Sequence, residues 1–198
     1  MTRRGSYAKG VARRDEILTR ALEVIAREGY RGASVKEIAE AVGLSQAGLL
    51  HYFDSKEELF TEVLRKRDEL DTATFERQAT AAASPLGLRA LSAVFIEVVR
   101  RNAGTPGLVE LFSRLSVDAA DPNHPAHAYF LTRGESLRAC VTSAVRAGQN
   151  AGAVDPALDP ALFARMLVAL VDGMQLQWLL DPDVDMTAPV QALFDLIR

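Results

Sequence analysis

Residues 34–56 read SVKEIAEAVGLSQAGLLHYFDSK. The pattern predicts two short helices joined by a tight turn, with a third helix starting directly after. Ser34 stands where an N-cap is needed, and Glu37 three places on completes a Ser-x-x-Glu capping box. Val35, Ile38, Ala39 and Val42 recur on one helical face. Gly43 follows where the backbone needs a positive φ to stop the helix, which glycine supplies at least cost. Leu44 is placed to drop into a shared core, and Ser45 can cap the next helix. That helix runs from Gln46 to about His51, too short to hold without tertiary support. Short helices in this arrangement are what a helix–turn–helix presents to its target.

The outward residues of the second helix favour duplex DNA. A recognition helix enters the major groove by its N-terminal end and needs small or polar side chains there. Gln46 can hydrogen-bond a base edge, and Ala47 and Gly48 allow close approach. His51, Tyr52 and Lys56 carry groups suited to phosphate oxygens. Ser55 with Glu58 forms a second capping box, so Ser34, Ser45 and Ser55 mark helix N-termini, whose free N–H groups and dipole attract anions. Lys36, in the first turn after Ser34, joins the candidate DNA contacts. Leu49 and Phe53 are expected to face inward.

These residues resemble the TetR/AcrR-type one-component transcriptional regulators. In that family a first helix ends in glycine and a capped second helix ends at Val-Gly. A Tyr, His-or-Tyr, Phe, x, Ser/Asn-Lys-x-x-Leu signature follows. Here it stands as Leu50-His51-Tyr52-Phe53-Asp54-Ser55-Lys56-Glu57-Glu58-Leu59, and the match spans residues 11 to 65. The family usually has an aromatic where Leu50 stands and a hydroxyl residue where Gly48 stands.

The chain has 198 residues, enough for one domain or for a small one beside a larger one. Its net charge of −3 splits unevenly. Residues 1–67 hold 13 basic against 10 acidic groups, and the remainder holds 10 against 16. A basic head on an acidic body suits a duplex binder. Arg3, Arg4, Lys9, Arg13 and Arg14 crowd the first 14 residues, and Arg13 and Arg14 are the better DNA candidates because they begin the first helix. No secretory leader is visible. The most apolar stretch, 161–180, is interrupted by Arg165 and Asp172, which argues against a membrane span. One cysteine, Cys140, fits a reducing cytoplasm.

Outside the recognition unit, helical periodicity covers the chain. The first helix is predicted over 11–28, ending at Gly29, with Tyr30 anchoring the head. A long helix is predicted from 56 to about 80, and another starts at Ser84-Pro85 and runs to about 103. Further helices are predicted over 106–118, 125–150, 160–180 and 187–197, with Cys140 on the inner stripe of the 125–150 helix. No strand pattern appears. The expectation is an all-α protein of about nine helices: a three-helix head over 1–54, with an arm over 1–10, and a sensing and dimerising body over 55–198.

The helix at 160–180 is apolar around much of its girth, and such helices bury against more than one neighbour. The resemblance implies a four-helix dimer interface built from the last two helices. Its expected residues are Leu176, Trp178, Leu179 and Leu180 on the first of these helices and Val190, Leu193, Phe194 and Ile197 on the last. It also implies an effector pocket enclosed by the body, with Phe95, Val99, Leu111, Phe112, Leu115, Tyr129, Phe130, Arg133, Met166 and Met174 as lining candidates and a mostly apolar small molecule as ligand.

Enzyme and metal readings lack support. His124-x-x-His127 has no accompanying carboxylate or thiolate pattern. Asp181-x-Asp183-x-Asp185 imitates a calcium loop but has Met186 at the glycine position and Ala192 at the glutamate position. No nucleophile elbow, phosphate loop or dinucleotide fingerprint is present, and no metal or cofactor is expected. The expected function is a homodimeric repressor that binds a palindromic operator and is released by a small molecule. The alternative is a DNA-binding regulator without ligand, its body serving only dimerisation or a protein partner.

Overall fold

The computed structural model describes the backbone of residues 3–81 and 87–197, with side chains described outside 3–8, 31 and 73–81. Nine helices and no strand occur among the described residues: α1 (Arg3–Gly32), α2 (Val35–Ala41), α3 (Gln46–Leu49), α4 (Lys56–Ala81), α5 (Leu88–Ala103), α6 (Pro106–Asp118), α7 (His127–Asn150), α8 (Pro160–Leu180) and α9 (Thr187–Asp195). The expected helix start at Ser84-Pro85 and the side chains of Arg3 and Arg4 lie outside the described residues. α1 begins well before residue 11 and is interrupted at Gly29, whose φ of 75° and ψ of 166° are not helical.

The chain divides into two compact units, Met1–Leu70 with Thr105–His127, and Asp71–Gly104 with Ala128–Arg198. In the first, Ile17, Ala21 and Ile25 of α1, Ile38 and Ala39 of α2, Leu49 of α3, and Leu59, Val63 and Leu64 of α4 are all buried. Each of the isoleucine, leucine and valine side chains contributes roughly 1.5–3 kcal/mol on leaving water, and this holds a four-residue α3 that has no stability of its own. α6 packs along α1. The approach is tight at Gly107, where a Cβ would lie 2.2 Å from the Ile25 carbonyl oxygen and 2.7 Å from Gly29 Cα. The grouping of α6 with the recognition helices was not evident from periodicity, which says nothing about which helices become neighbours.

The core of the second unit draws on Leu91, Phe95 and Val99 of α5, Val141 and Val145 of α7, Phe163, Leu167 and Met174 of α8, and Val190 and Phe194 of α9. The Phe194 ring sits 5.8 Å from Phe163 and 6.3 Å from Phe95, centroid to centroid. Asn102 and Gln175 form a buried polar pair in this unit, the Asn102 amide donating to Gln175 Oε1 at 3.4 Å. Asp185 caps α9 by accepting from Thr187 N at 2.7 Å and from Ala188 N at 3.3 Å. Cys140, expected on the inner stripe of α7, is exposed instead; the buried side of the helix there is taken by Val141, Ala144 and Val145.

Candidate nucleic-acid interface

The recognition unit is built by caps. Ser34 Oγ accepts from Glu37 N while Glu37 Oε2 accepts from Ser34 N at 2.6 Å, closing the predicted box. Both the hydroxyl and the backbone N–H of Ser34 donate to the Glu37 carboxylate, and these bonds hold its pKa below the ordinary glutamate value. Gly43 takes φ 68°, the left-handed conformation its position predicted. Ser45 Oγ then accepts from Gly48 N at 3.0 Å and starts α3. At α4, Ser55 Oγ accepts from Glu58 N at 3.0 Å, but the Glu58 carboxylate accepts from Asp54 N, one residue earlier than the box motif requires.

Along α3, Gln46 and Ala47 are exposed, Gly48 is half-buried, and Leu49 is fully buried. The helix therefore stands on Leu49, with Phe53 buried just beyond it, and turns its first residues to solvent. His51 is exposed and lies edge-on to Tyr52 at 6.0 Å between centroids. Lys56 is exposed, its Nζ 5.2 Å from the centre of the Phe60 ring. Lys36 is exposed, with only a loose pairing to Glu40 at 3.9 Å, and Ser45 is exposed as well. Leu50 is 43% exposed, an apolar side chain beside groups suited to phosphate.

Arg13 and Arg14 have partners within the head. Arg13 donates to Glu16 at 2.7 Å and to the Val42 carbonyl at 2.5 Å. Arg14 donates to the Tyr52 carbonyl and to Glu58 at 3.0 Å, lies 3.6 Å from Glu62, and covers the Phe53 ring at 4.2 Å. Both guanidiniums brace α1 against the turn after α2 and the segment between α3 and α4. Charge alone suggested phosphate contact; tertiary packing brings carbonyls and carboxylates to them first.

The body residues separate. Leu111, Phe112 and Leu115 are buried in the first unit, and Phe95, Val99, Tyr129 and Met174 in the second. Phe130, half-buried, meets Tyr129 edge-on at 5.0 Å, and Arg133 is half-buried. Met166 is 41% exposed on the outer side of α8, not inward as a pocket lining requires. A cleft of about 820 Å³ in the second unit is lined by other residues, among them Arg138, Arg146, Asn150 and Arg165. His124 Nδ1 accepts from Ala126 N, and His127 Nδ1 lies 2.7 Å from the Ala119 carbonyl, so both histidines serve the turn before α7.

The residues of the expected dimer face differ in burial. Val190 and Phe194 are fully buried and Ile197 nearly so, within the second unit's own core; Trp178, Leu179 and Leu193 are half-buried. Side chains closed inside one copy cannot face another. α8 carries a different outward stripe, Leu162, Met166, Ala169, Leu176 and Leu180, all exposed. Of the residues expected at a dimer face, Leu176 and Leu180 lie on this stripe.

Sequence reasoning also missed Arg67. It lies one turn beyond Val63 and Leu64 on the inward stripe of α4, a charge at an apolar position, and that spacing was the available signal.

Residues 17–63 match the family model described as bacterial regulatory proteins, tetR family, and residues 88–196 match that of the BetI-type transcriptional repressor C-terminal region. The chain is 29% identical over 160 residues to the HTH-type transcriptional repressor KstR2 of Mycolicibacterium smegmatis, covering 79% of this chain and 74% of that protein. Among solved structures, a TetR transcription regulator from Haloarcula marismortui superposes with a TM-score of 0.74 at 18% identity over 94% of this chain and 98% of that one. The regulator FadR from Bacillus subtilis, in complex with stearoyl-CoA, superposes with a TM-score of 0.68 at 20% identity over 91% and 95%.

Proposed function

The chain belongs to the TetR family of bacterial regulatory proteins, and on that footing we propose that it is a homodimeric repressor whose hold on operator DNA is loosened by a small molecule. The DNA-reading part is residues 1–54, and residues 55–198 sense and dimerise. The observation that carries this reading is the local geometry of α3: a serine-capped helix anchored by a fully buried Leu49, with Gln46 and Ala47 exposed at its N-terminal end. That is the arrangement a recognition helix needs to bring an amide to base edges. The exposed His51 and Lys56, with the hydroxyl of Tyr52, take phosphates on either side.

The second copy docks on the outer stripe of α8. Leu162, Met166, Ala169, Gly173, Leu176 and Leu180 follow steps of 4, 3, 4, 3 and 4 and are symmetric about Val171. A two-fold pairing of antiparallel α8 helices sets Leu162 against Leu180 of the partner subunit and Met166 against Leu176 of the partner subunit, an isologous seam. The effector binds in the body and favours a setting of α4 that no longer suits both half-sites. A ligand does this only through its different affinity for the two settings, and a coupling of about 1–3 kcal/mol weakens DNA binding roughly 5- to 150-fold. The FadR complex with stearoyl-CoA supports an amphipathic ligand for a body of this fold.

Selection of bound sequences from a randomised duplex pool tests the reading. The expected product is a two-fold symmetric sequence with half-sites related by about one helical turn. Failure to enrich any sequence at low ionic strength would overturn it.

A further inference from the structure

α4 buries Phe60, Val63 and Leu64 on its inward stripe, and the next residue of that stripe is Arg67. Only 11% of its side chain is exposed. Nη2 lies 3.5 Å from Oδ1 of Asp68, its neighbour in the chain, whereas Nε and Nη1 are buried and meet no hydrogen-bond acceptor among the described residues. The guanidinium sits 5.3 Å from the centroid of the Phe112 ring. Arg13 and Arg14, in the same unit, each reach both a carbonyl and a carboxylate.

A guanidinium does not give up its proton in a protein, so Arg67 cannot relieve its burial by becoming neutral. An aromatic face offsets part of the lost hydration but offers no lone pair in the plane where the N–H groups point. Donors left this way are costly unless an acceptor arrives from outside the chain. We infer that Arg67 is the receptor for an acidic group on the effector, so that the ligand is an amphipathic anion: a carboxylate or phosphate head on an otherwise apolar molecule. The inference deepens the ligand-responsive reading above and rests on it. Phe112, with the buried Leu111 and Leu115 on the same helix, supplies the apolar side of the environment. Arg67 also shares one helix with Lys56, eleven residues or about 16 Å along the axis. An anion that completes the coordination of Arg67 therefore acts directly on the helix that begins at the recognition unit.

The test uses the full-length protein with two probes of equal length, sodium octanoate and the neutral octanamide, on the wild type, Arg67→Met and Arg67→Lys. Binding is followed by calorimetry, and release of a duplex from the selection above by fluorescence anisotropy. The wild type is expected to take octanoate at least about tenfold more tightly than octanamide, because a charge-assisted bidentate pair replaces a neutral one. R67K keeps a preference for the acid. R67M binds the two probes alike, with octanamide affinity unchanged, and without ligand it melts no lower than the wild type because an unpaired buried cation is gone. Equal octanoate binding by wild type and R67M, or octanamide matching octanoate on the wild type, overturns the assignment. Release of the duplex by octanamide from all three proteins removes Arg67 from the mechanism while the ligand-responsive reading stands. Binding of neither probe by the wild type overturns the assignment of Arg67, while the reading of the chain as a DNA-binding repressor is decided by the duplex selection.

Discussion

Gln46, Lys56 and Arg14 are all polar residues of the recognition unit, yet their surroundings assign them different work. Gln46 is exposed at the first turn of α3, so Gln46→Ala should relax preference at one base pair by about 1–3 kcal/mol and leave other positions unchanged. Parallel binding measurements on single-substitution operators check this. Lys56 is exposed at the first turn of α4. Lys56→Ala should weaken binding evenly across sequences and reduce the slope of log affinity against log salt by about 0.9. Arg14 is held by the Tyr52 carbonyl and the Glu58 carboxylate, with its side chain about one-third exposed. Arg14→Met should therefore lower stability by about 1–2 kcal/mol after solvent screening, read from the urea midpoint, and leave the salt slope unaltered. A slope reduced as in the lysine variant would return Arg14 to the DNA surface.

Among the elements, the short helices depend most on their ends. α2 has seven residues and begins with the reciprocal Ser34–Glu37 cap, whose carboxylate half is strongest while Glu37 is ionised. The Glu37 pKa is lowered by bonds that exist only in the fold. Its stabilising contribution is thus fully present above the ordinary glutamate pKa and is lost as pH falls through the lowered folded value. Ser34→Ala should reduce the melting temperature at neutral pH, and the gap to the wild type should close on acidification through that range. A gap independent of pH would mean that the carboxylate takes no part in the cap. The junction of α1 and α6 is controlled by a missing side chain. Gly107→Ala would drive a methyl group into the Ile25 carbonyl and Gly29, costing about 1–3 kcal/mol by overpacking; thermal melts of the full chain measure it. The caps and the Gly43 turn were readable from a few consecutive residues because their chemistry is local. The Gly107 contact joins residues about eighty positions apart, which no local pattern reports.

For the whole molecule, the decisive question is which apolar surface one copy leaves open. α8 is apolar on several sides, so its sequence admits many inward orientations. Packing against α5, α7 and α9 uses Phe163, Leu167, Val171 and Met174, which leaves Leu176 and Leu180, 52% and 88% exposed, on the outside. Leu176→Glu should keep the helical content of one chain but shift the protein to monomers in sedimentation velocity, with a matching loss of operator affinity. Phe194→Ala should do the opposite. Opening a cavity beside Phe95 and Phe163 should destabilise the body by about 3–5 kcal/mol without a specific effect on association. Dimers that persist in the leucine variant would place the seam elsewhere.

The sequence by itself determined the helical class, the capped turn at 34–56 and the regulator family, because helix periodicity, serine caps and a turn glycine act over at most a few residues. Leu49 and Phe53 could be assigned to the core, and Gln46 to the surface, for the same reason. Only the tertiary structure decided that Arg13 and Arg14 brace the head, that Phe194 closes a core while Met166 looks outward, and that Arg67 lies buried beside Phe112. Whether a charge meets water, a carboxylate or no acceptor depends on residues brought in from distant parts of the chain, and that arrangement is a property of the folded packing.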